Sequence, residues 1–139
     1  MSMPSGQYYV GDLCYVLHDR WDELCNITIQ DHKVLDGEFT FADGTRFALF
    51  STMYGDGCYE DQYGNQYPVD AGLIGCILVD DIIPEERKNI ASGKVHEFPH
   101  EFTPIEKDGV IVFHKIRIDT KDSVRYERDV PDEDDWGQY

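Results

Sequence analysis

Apolar and polar residues alternate along much of this chain, and a period of two marks a strand with one buried face. YYVGDLCYVL, at 8–17, alternates and is rich in Tyr and Val. HDRWDELC, at 18–25, breaks the rhythm. Trp21, Leu24 and Cys25 share a face at helical spacing, and Asp19 is placed to cap one or two turns. ITIQDHKVLDGEFTF and TRFALFST follow, punctuated by Asp36-Gly37 and Asp43-Gly44. Asp-Gly between alternating runs is a hairpin signal.

The second Asp-Gly pair fixes a register. A two-residue loop would set Phe41 opposite Arg46 and Phe39 opposite Ala48. A three-residue loop, Ala42 to Gly44, sets Phe41 opposite Thr45 and Phe39 opposite Phe47. Only the longer loop keeps Phe39, Phe41, Phe47 and Leu49 on one face, because cross-strand partners share a face. The expected turn is type I, with Gly44 left-handed in a bulge.

GLIGCILV, at 72–79, reads as a buried strand. Asp81 to Ser92 reads as the main helix, with Pro84 in its first turn, Glu85 and Glu86 at its positive end and Gly93 at its stop. DGVIVFHKIRIDT, at 108–120, reads as one long strand with Val110, Val112, Ile116 and Ile118 on one face. The expected fold is a β-rich α+β domain: a curled antiparallel sheet or small barrel with one helix, at about 81–92, packed on it.

Charge changes this picture more than composition does. The 139 residues hold 28 acids against 12 Lys and Arg, a net charge of −16. Such a field repels nucleic acid and anionic membrane and attracts basic surfaces. The last eleven residues, DVPDEDDWGQY, carry five acids and no base and read as a solvated tail after a single domain at 1–128. The body without them is still strongly acidic. Cys14, Cys25, Cys58 and Cys76 have no zinc-ribbon spacing. MSMPSGQYYVGD has no basic start or apolar core, and the longest apolar run, Ala71 to Val79, is too short to span a bilayer. These features lead us to expect a soluble, cytoplasmic protein with reduced thiols.

Three constellations bear on chemistry. His96-Glu97-Phe98-Pro99-His100 matches H-E-x-x-H, which binds zinc when a helix puts both imidazoles on one face. Pro99 argues against that helix, which leaves an extended loop with two exposed histidines. His114 would be a third ligand only if the fold brought it near. Cys58 lies among flexible glycines, but Asp56, Glu60 and Asp61 would raise its pKa and blunt a nucleophile. Asp56, Glu60, Asp61 and Asp70 lack EF-hand spacing, and Gly55-Asp56-Gly57 lacks the helix and lysine of a phosphate loop. No cofactor is expected.

Phe47 to Glu86 is forty residues without Lys, Arg or His, and it holds eight acids and four tyrosines. Carboxylates pair with guanidinium groups and rings stack on them. Asp56, Tyr59, Glu60, Asp61, Tyr63, Tyr67 and Asp70 are therefore the candidate residues for gripping a basic partner. The plainer alternative is a solvated acidic loop. A second reading is a small-ligand or nucleotide-signal pocket with Asp12, Trp21, Arg46, Tyr59 and Asp70 at its mouth; Arg20, Lys94 and Arg117 are further cations for a phosphate. A third is a metal-dependent hydrolase at His96 and His100, or a thiol enzyme at Cys58.

Gly11, Asp12, Cys14, Tyr15, Val16, then Gly55, Asp56, Gly57, Tyr59, then Val69, Asp70, Gly72, Ile74 and Gly75 spell GD-x-C-Y-V, GDG-x-Y and VD-x-G-x-I-G. In these motifs the chain resembles a group of small phage and bacterial proteins. The resemblance implies a phage or mobile-element origin. By analogy of composition, a small acidic phage protein is expected to inhibit a nucleic-acid-handling or defence protein of the host as a DNA mimic.

Overall fold

The computed structural model describes residues 3–30, 33–52 and 56–121. The tail expected at 129–139 lies outside them. In chain order the strands are β1 (Gly6–Gly11), β2 (Ile29–Gln30), β3 (Lys33–Val34), β4 (Gly37–Thr40), β5 (Arg46–Ser51) and β6 (Gly57–Asp61). They continue as β7 (Gln66–Val69), β8 (Leu73–Leu78), β9 (Lys94–Phe98), β10 (Ile105–Lys107), β11 (Val110–Phe113) and β12 (Ile116–Asp119). The described helices are α1 (Trp21–Thr28), α2 (Pro84–Arg87) and short 3-10 turns. Two five-stranded antiparallel sheets form, in the orders β4-β5-β8-β1-β9 and β10-β11-β12-β6-β7; β2 and β3 make a separate ribbon. The domain is β-rich α+β, as expected. It is an open sandwich, not a barrel, because each sheet ends in edge strands.

Alternation explains the layering. In the first sheet Tyr8, Val10, Ala48, Phe50, Ile74 and Cys76 point one way, into a core shared with the second sheet. The second sheet supplies Tyr59, Tyr67, Val69, Ile111, Phe113, Ile116 and Ile118 to that core. The intervening residues of the first sheet, Tyr9, Phe47, Leu49, Leu73 and Ile77, point the other way. There they pack against Leu13, Val16, Leu17, Leu24 and Ile82 of the helical turns. The layers are therefore second sheet, first sheet, helical turns. Gly75 lets two strands and a turn close up: a Cβ there would lie 2.2 Å from the Ala48 carbonyl oxygen and 2.8 Å from Leu13 Cδ1.

The Asp43-Gly44 turn forms as expected. Phe39 pairs with Phe47, Phe41 N–H donates to Thr45 O at 2.8 Å, and Gly44 sits at φ +94°. The Phe41 and Phe47 rings lie 4.7 Å apart by centroid.

Two expectations are corrected. The stretch 81–92 is not one helix: only Pro84–Arg87 is α-helical, between 3-10 turns at Val79–Asp81 and Ile90–Ser92. Pro84 holds Ile83 extended, at φ −64° and ψ 150°, so no helix can start earlier. No side chain of Pro84–Arg87 is buried, so no packing sustains the helix beyond one turn. The longest described helix is instead α1, anchored by Leu24.

The long strand at 108–120 is a hairpin. His114 and Lys115 turn the chain, with His114 left-handed at φ 56°, and Phe113 pairs with Ile116. The turn moves the buried face onto Ile111, Phe113, Ile116 and Ile118, and Val110 and Val112 face outward. Asp108 and Gly109, at φ 53° and 85°, form the tight turn that joins β10 to β11.

Candidate functional site

Antiparallel pairing decides the fate of the tyrosine-rich stretch. Tyr59 lies opposite Tyr67 in the β6–β7 hairpin, on the face turned toward the first sheet. Both rings are fully enclosed. Neither can stack on a partner's arginine, which corrects that part of the candidate surface. Asp61 is also withdrawn, at 6% exposure. Of the seven residues, Asp56, Tyr63 and Asp70 are exposed and Glu60 is half-buried. Tyr63 stands at the hairpin tip, 65% exposed.

Asp61 organises that hairpin. Its Oδ1 accepts from Tyr63 N–H at 2.9 Å and Asn65 N–H at 3.0 Å; its Oδ2 accepts from Asn65 Nδ2 at 2.9 Å and the Tyr67 hydroxyl at 2.8 Å. Burial pushes the carboxyl up, but these hydrogen bonds outweigh it and hold Asp61 below the usual carboxylate range. It is therefore ionised. Tyr67 has one hydroxyl proton, which goes to that carboxylate. His96 Nε2, 2.9 Å from the same hydroxyl oxygen, must then be the donor. Counting protons thus assigns the Nε2–H tautomer to His96. Burial lowers the pKa of His96; the Asp61 charge opposes this, and Lys115 and Lys94 add to it. The chain Asp61–Tyr67–His96 latches edge strand β7 of the second sheet to edge strand β9 of the first. With Tyr67 enclosed, it acts as a structural clasp.

Asp12 is the counterpart at the other end of β1. It is fully buried, with Oδ1 accepting from Cys14 N–H at 2.9 Å. Its Oδ2 accepts from Asp70 N–H at 2.8 Å and Ala71 N–H at 2.6 Å. Tyr15 donates to Asp70 Oδ2 at 2.6 Å. Gly11, Asp12, Cys14, Tyr15, Asp70 and Gly75, which stand in the first and last of the quoted motifs, therefore meet in space. What they do there is fasten a loop. Burial and Asp12 push the Cys14 thiol up to about 12, away from nucleophilic chemistry.

The other proposed sites do not assemble. Asp12 and Tyr59 are fully enclosed, Trp21 packs on the helical-side core, and Arg46 lies 3.7 Å from Glu38, so these residues with Asp70 do not form one pocket mouth. Cys58 is 7% exposed within β6. His96 is on strand β9 and His100 follows it, so the two imidazoles do not share a helix face. His96 is half-buried rather than exposed, and His100 stacks loosely on His114 at 6.4 Å. Among the described residues no three His, Cys, Asp or Glu side chains are grouped to hold a metal ion. No described helix is long and apolar enough to cross a membrane.

Comparison of the chain with protein-family models, curated proteins and solved structures finds no match.

A second group of acids lies outside the candidate residues at 56–70. The helical layer and the adjoining turn carry Asp19, Asp22, Glu23, Asp43, Asp80, Asp81, Glu85 and Glu86. Arg20 lies among them with its Nη2 3.2 Å from Glu23 Oε1 and 3.3 Å from Asp43 Oδ1, its guanidinium 3.7 Å above the Phe41 ring. Arg87 is turned back onto the carbonyls of Ile82 and Asp80. Burial first, then Asp43 and Asp80, raise the Asp81 carboxyl, with Arg20 opposing. Asp43 itself is held below the usual carboxylate range by hydrogen bonds from Thr45 and Arg20, so the unfavourable electrostatics of this side fall on Asp81.

Proposed function

We propose that the protein is a binding or inhibitor protein, without enzymatic activity, whose acidic helical side occupies a basic surface of a partner protein. The observation that carries this reading is the crowding at Asp43, Asp80 and Asp81, around a single guanidinium that two carboxylates already hold. Asp81, pushed up by burial and then by Asp43 and Asp80, is disfavoured as an anion in the free protein, and a partner's Lys or Arg would relieve that cost. The patch replaces residues 54–70 as the centre of the surface, and Asp56, Glu60, Tyr63 and Asp70 remain as secondary contacts. Basic partners of this kind include proteins that handle nucleic acid, so charge mimicry of DNA by a phage or mobile-element product is the biological setting we infer.

The test is titration with an arginine-rich peptide at low and at high salt. Binding should weaken steeply with salt. D43N/D80N/D81N should lose about tenfold in affinity, more than E97Q/E101Q/D119N, which removes the same charge elsewhere. Equal losses would reduce the effect to net charge and sink the proposed patch.

A further inference from the structure

The two outer surfaces of this sandwich differ in kind. Helical turns cover the outer face of the first sheet, and no described element covers that of the second. Strand register orders the bare face. Ile105, Val112 and Arg117 form one row across β10, β11 and β12, and Lys107, Val110 and Asp119 form the next. Ile105 is 52% exposed, and Val110 and Val112 are half-buried. In the second row a cation and an anion flank a valine, one on each side. Among the described residues of this face and its turns the signs balance: Lys107, Arg117 and Lys121 against Glu60, Asp108 and Asp119. The net charge of −16 is therefore carried by the rest of the molecule.

We infer that the occupant of this face is a second copy of the chain, bound face to face about a two-fold axis. Two chains of net charge −16 repel wherever their acidic surfaces meet, and on this balanced face they can touch without that penalty. A two-fold interface must also be complementary to itself. An axis lying along β11 meets that condition. It sets Val110 on Val110 and Val112 on Val112, puts Lys107 over Asp119 of the second copy, and lays Ile105 against the aliphatic stem of its Arg117. Lys121 reaches Asp119 at 3.8 Å, and Glu60 stands opposite Asp119 across β12 and β6, so the arriving lysine finds two carboxylates to one cation. An axis within about 15° of β11 keeps the two sheets inside the roughly 30° of aligned sheet packing. The helical layers then lie outermost, and the dimer presents two acidic sides that face apart. A face of five short strands is at the small end of specific interfaces, so Kd is expected at roughly 10–100 µM and dilute protein is monomeric.

The experiment is sedimentation velocity of the full chain over a concentration series spanning that range. We expect reversible dimers that strengthen as salt rises from about 10 mM to about 150 mM, because screening removes the repulsion between whole chains. Binding at the acidic side has the opposite salt dependence, so the two faces are read separately. Val112→Glu should leave the chain monomeric throughout. Val95→Glu, the same charge change on the exposed edge strand β9, should not. K107D and D119K should each be monomeric, with like charges opposed on both sides of the axis. Mixed in equal amounts they should dimerise, since each altered residue then faces its complement. Circular dichroism melts confirm that the variants fold; if D119K does not, the contrast of Val112→Glu with Val95→Glu decides alone. A chain monomeric at every concentration leaves the face to another occupant and overturns the proposal. So do dimers that weaken as salt rises, dimers that survive Val112→Glu, and dimers lost equally in Val95→Glu. Folded K107D and D119K that dimerise alone as the parent does, or that stay monomeric when mixed, overturn it too.

Discussion

The three central strands of the first sheet are buried on both faces and, among the described residues, the second sheet is covered on one, although both have five antiparallel strands. The difference follows from what each strand can hide. β1, β5 and β8 have apolar or small residues at every position from Tyr8 to Val10, Phe47 to Phe50 and Leu73 to Ile77, so neither face tolerates water. β12 alternates buried Ile116 and Ile118 with exposed Arg117 and Asp119. Stability should therefore reside in the first sheet, and freedom to evolve contacts in the outer face of the second.

Four tests bear on that contrast, taken from the largest expected effect to the smallest. Gly75→Val should be the most damaging, because its side chain would drive into the Ala48 carbonyl and Leu13. Loss of about 3 kcal/mol or more is expected in urea unfolding. A loss under about 1 kcal/mol would show that the strands around Gly75 have room to move apart. Next is Asp12→Ala, which strands the N–H groups of Cys14, Asp70 and Ala71. The cost should be about 3 kcal/mol. Asp12→Asn, which keeps the acceptor oxygen, should recover part of it; no recovery would mean that charge, rather than acceptor geometry, holds the loop.

The pH dependence comes third and concerns the latch between the sheets. His96 has a folded pKa below its ordinary 6.5, so below that pH the unfolded chain takes up the proton first. The neutral-histidine contribution is complete above pH 6.5 and declines as the pH falls toward the lower folded value. The groups around the ring are Tyr67, Asp61, Lys94 and Lys115. His96→Gln keeps a donor for Tyr67 and removes the titration, so its stability profile should be flat where the parent begins to fall. Asp61 acts at lower pH: its depressed pKa gives stability that is lost as pH drops below 3.8. An unaltered profile in His96→Gln would assign the acid sensitivity to other groups. Last, Val112→Thr on the bare face should change stability by less than about 0.5 kcal/mol, whereas Val10→Thr between the sheets should cost about 2. Similar costs at both sites would mean that the outer face of the second sheet is covered after all.

The sequence was readable where local chemistry and packing agreed. Asp43-Gly44 and the three surrounding phenylalanines admitted one loop length, and that loop is present. His114-Lys115 was invisible because the turn carries no Gly, Asn or Pro, and both flanking segments keep the strand pattern. The acid-and-tyrosine stretch misled for a related reason. Tyr59 and Tyr67 occur at a strand's spacing as well as an interface's, and the β6–β7 pairing turned both inward. One local signal was available: Asp12, Asp43, Asp61 and Asp119 each accept from the backbone N–H two residues on. What no local signal contains is that Asp12 also reaches Asp70 and Ala71.

That reach has a consequence for solvent exchange. Asp70 and Ala71 are exposed residues in a loop, whose amide protons would ordinarily swap with deuterium within seconds. Bonded to a carboxylate sealed at the end of β1, they should instead report the release of an interior strand. Two peripheral amides would then serve as clocks for the opening of the molecule's centre.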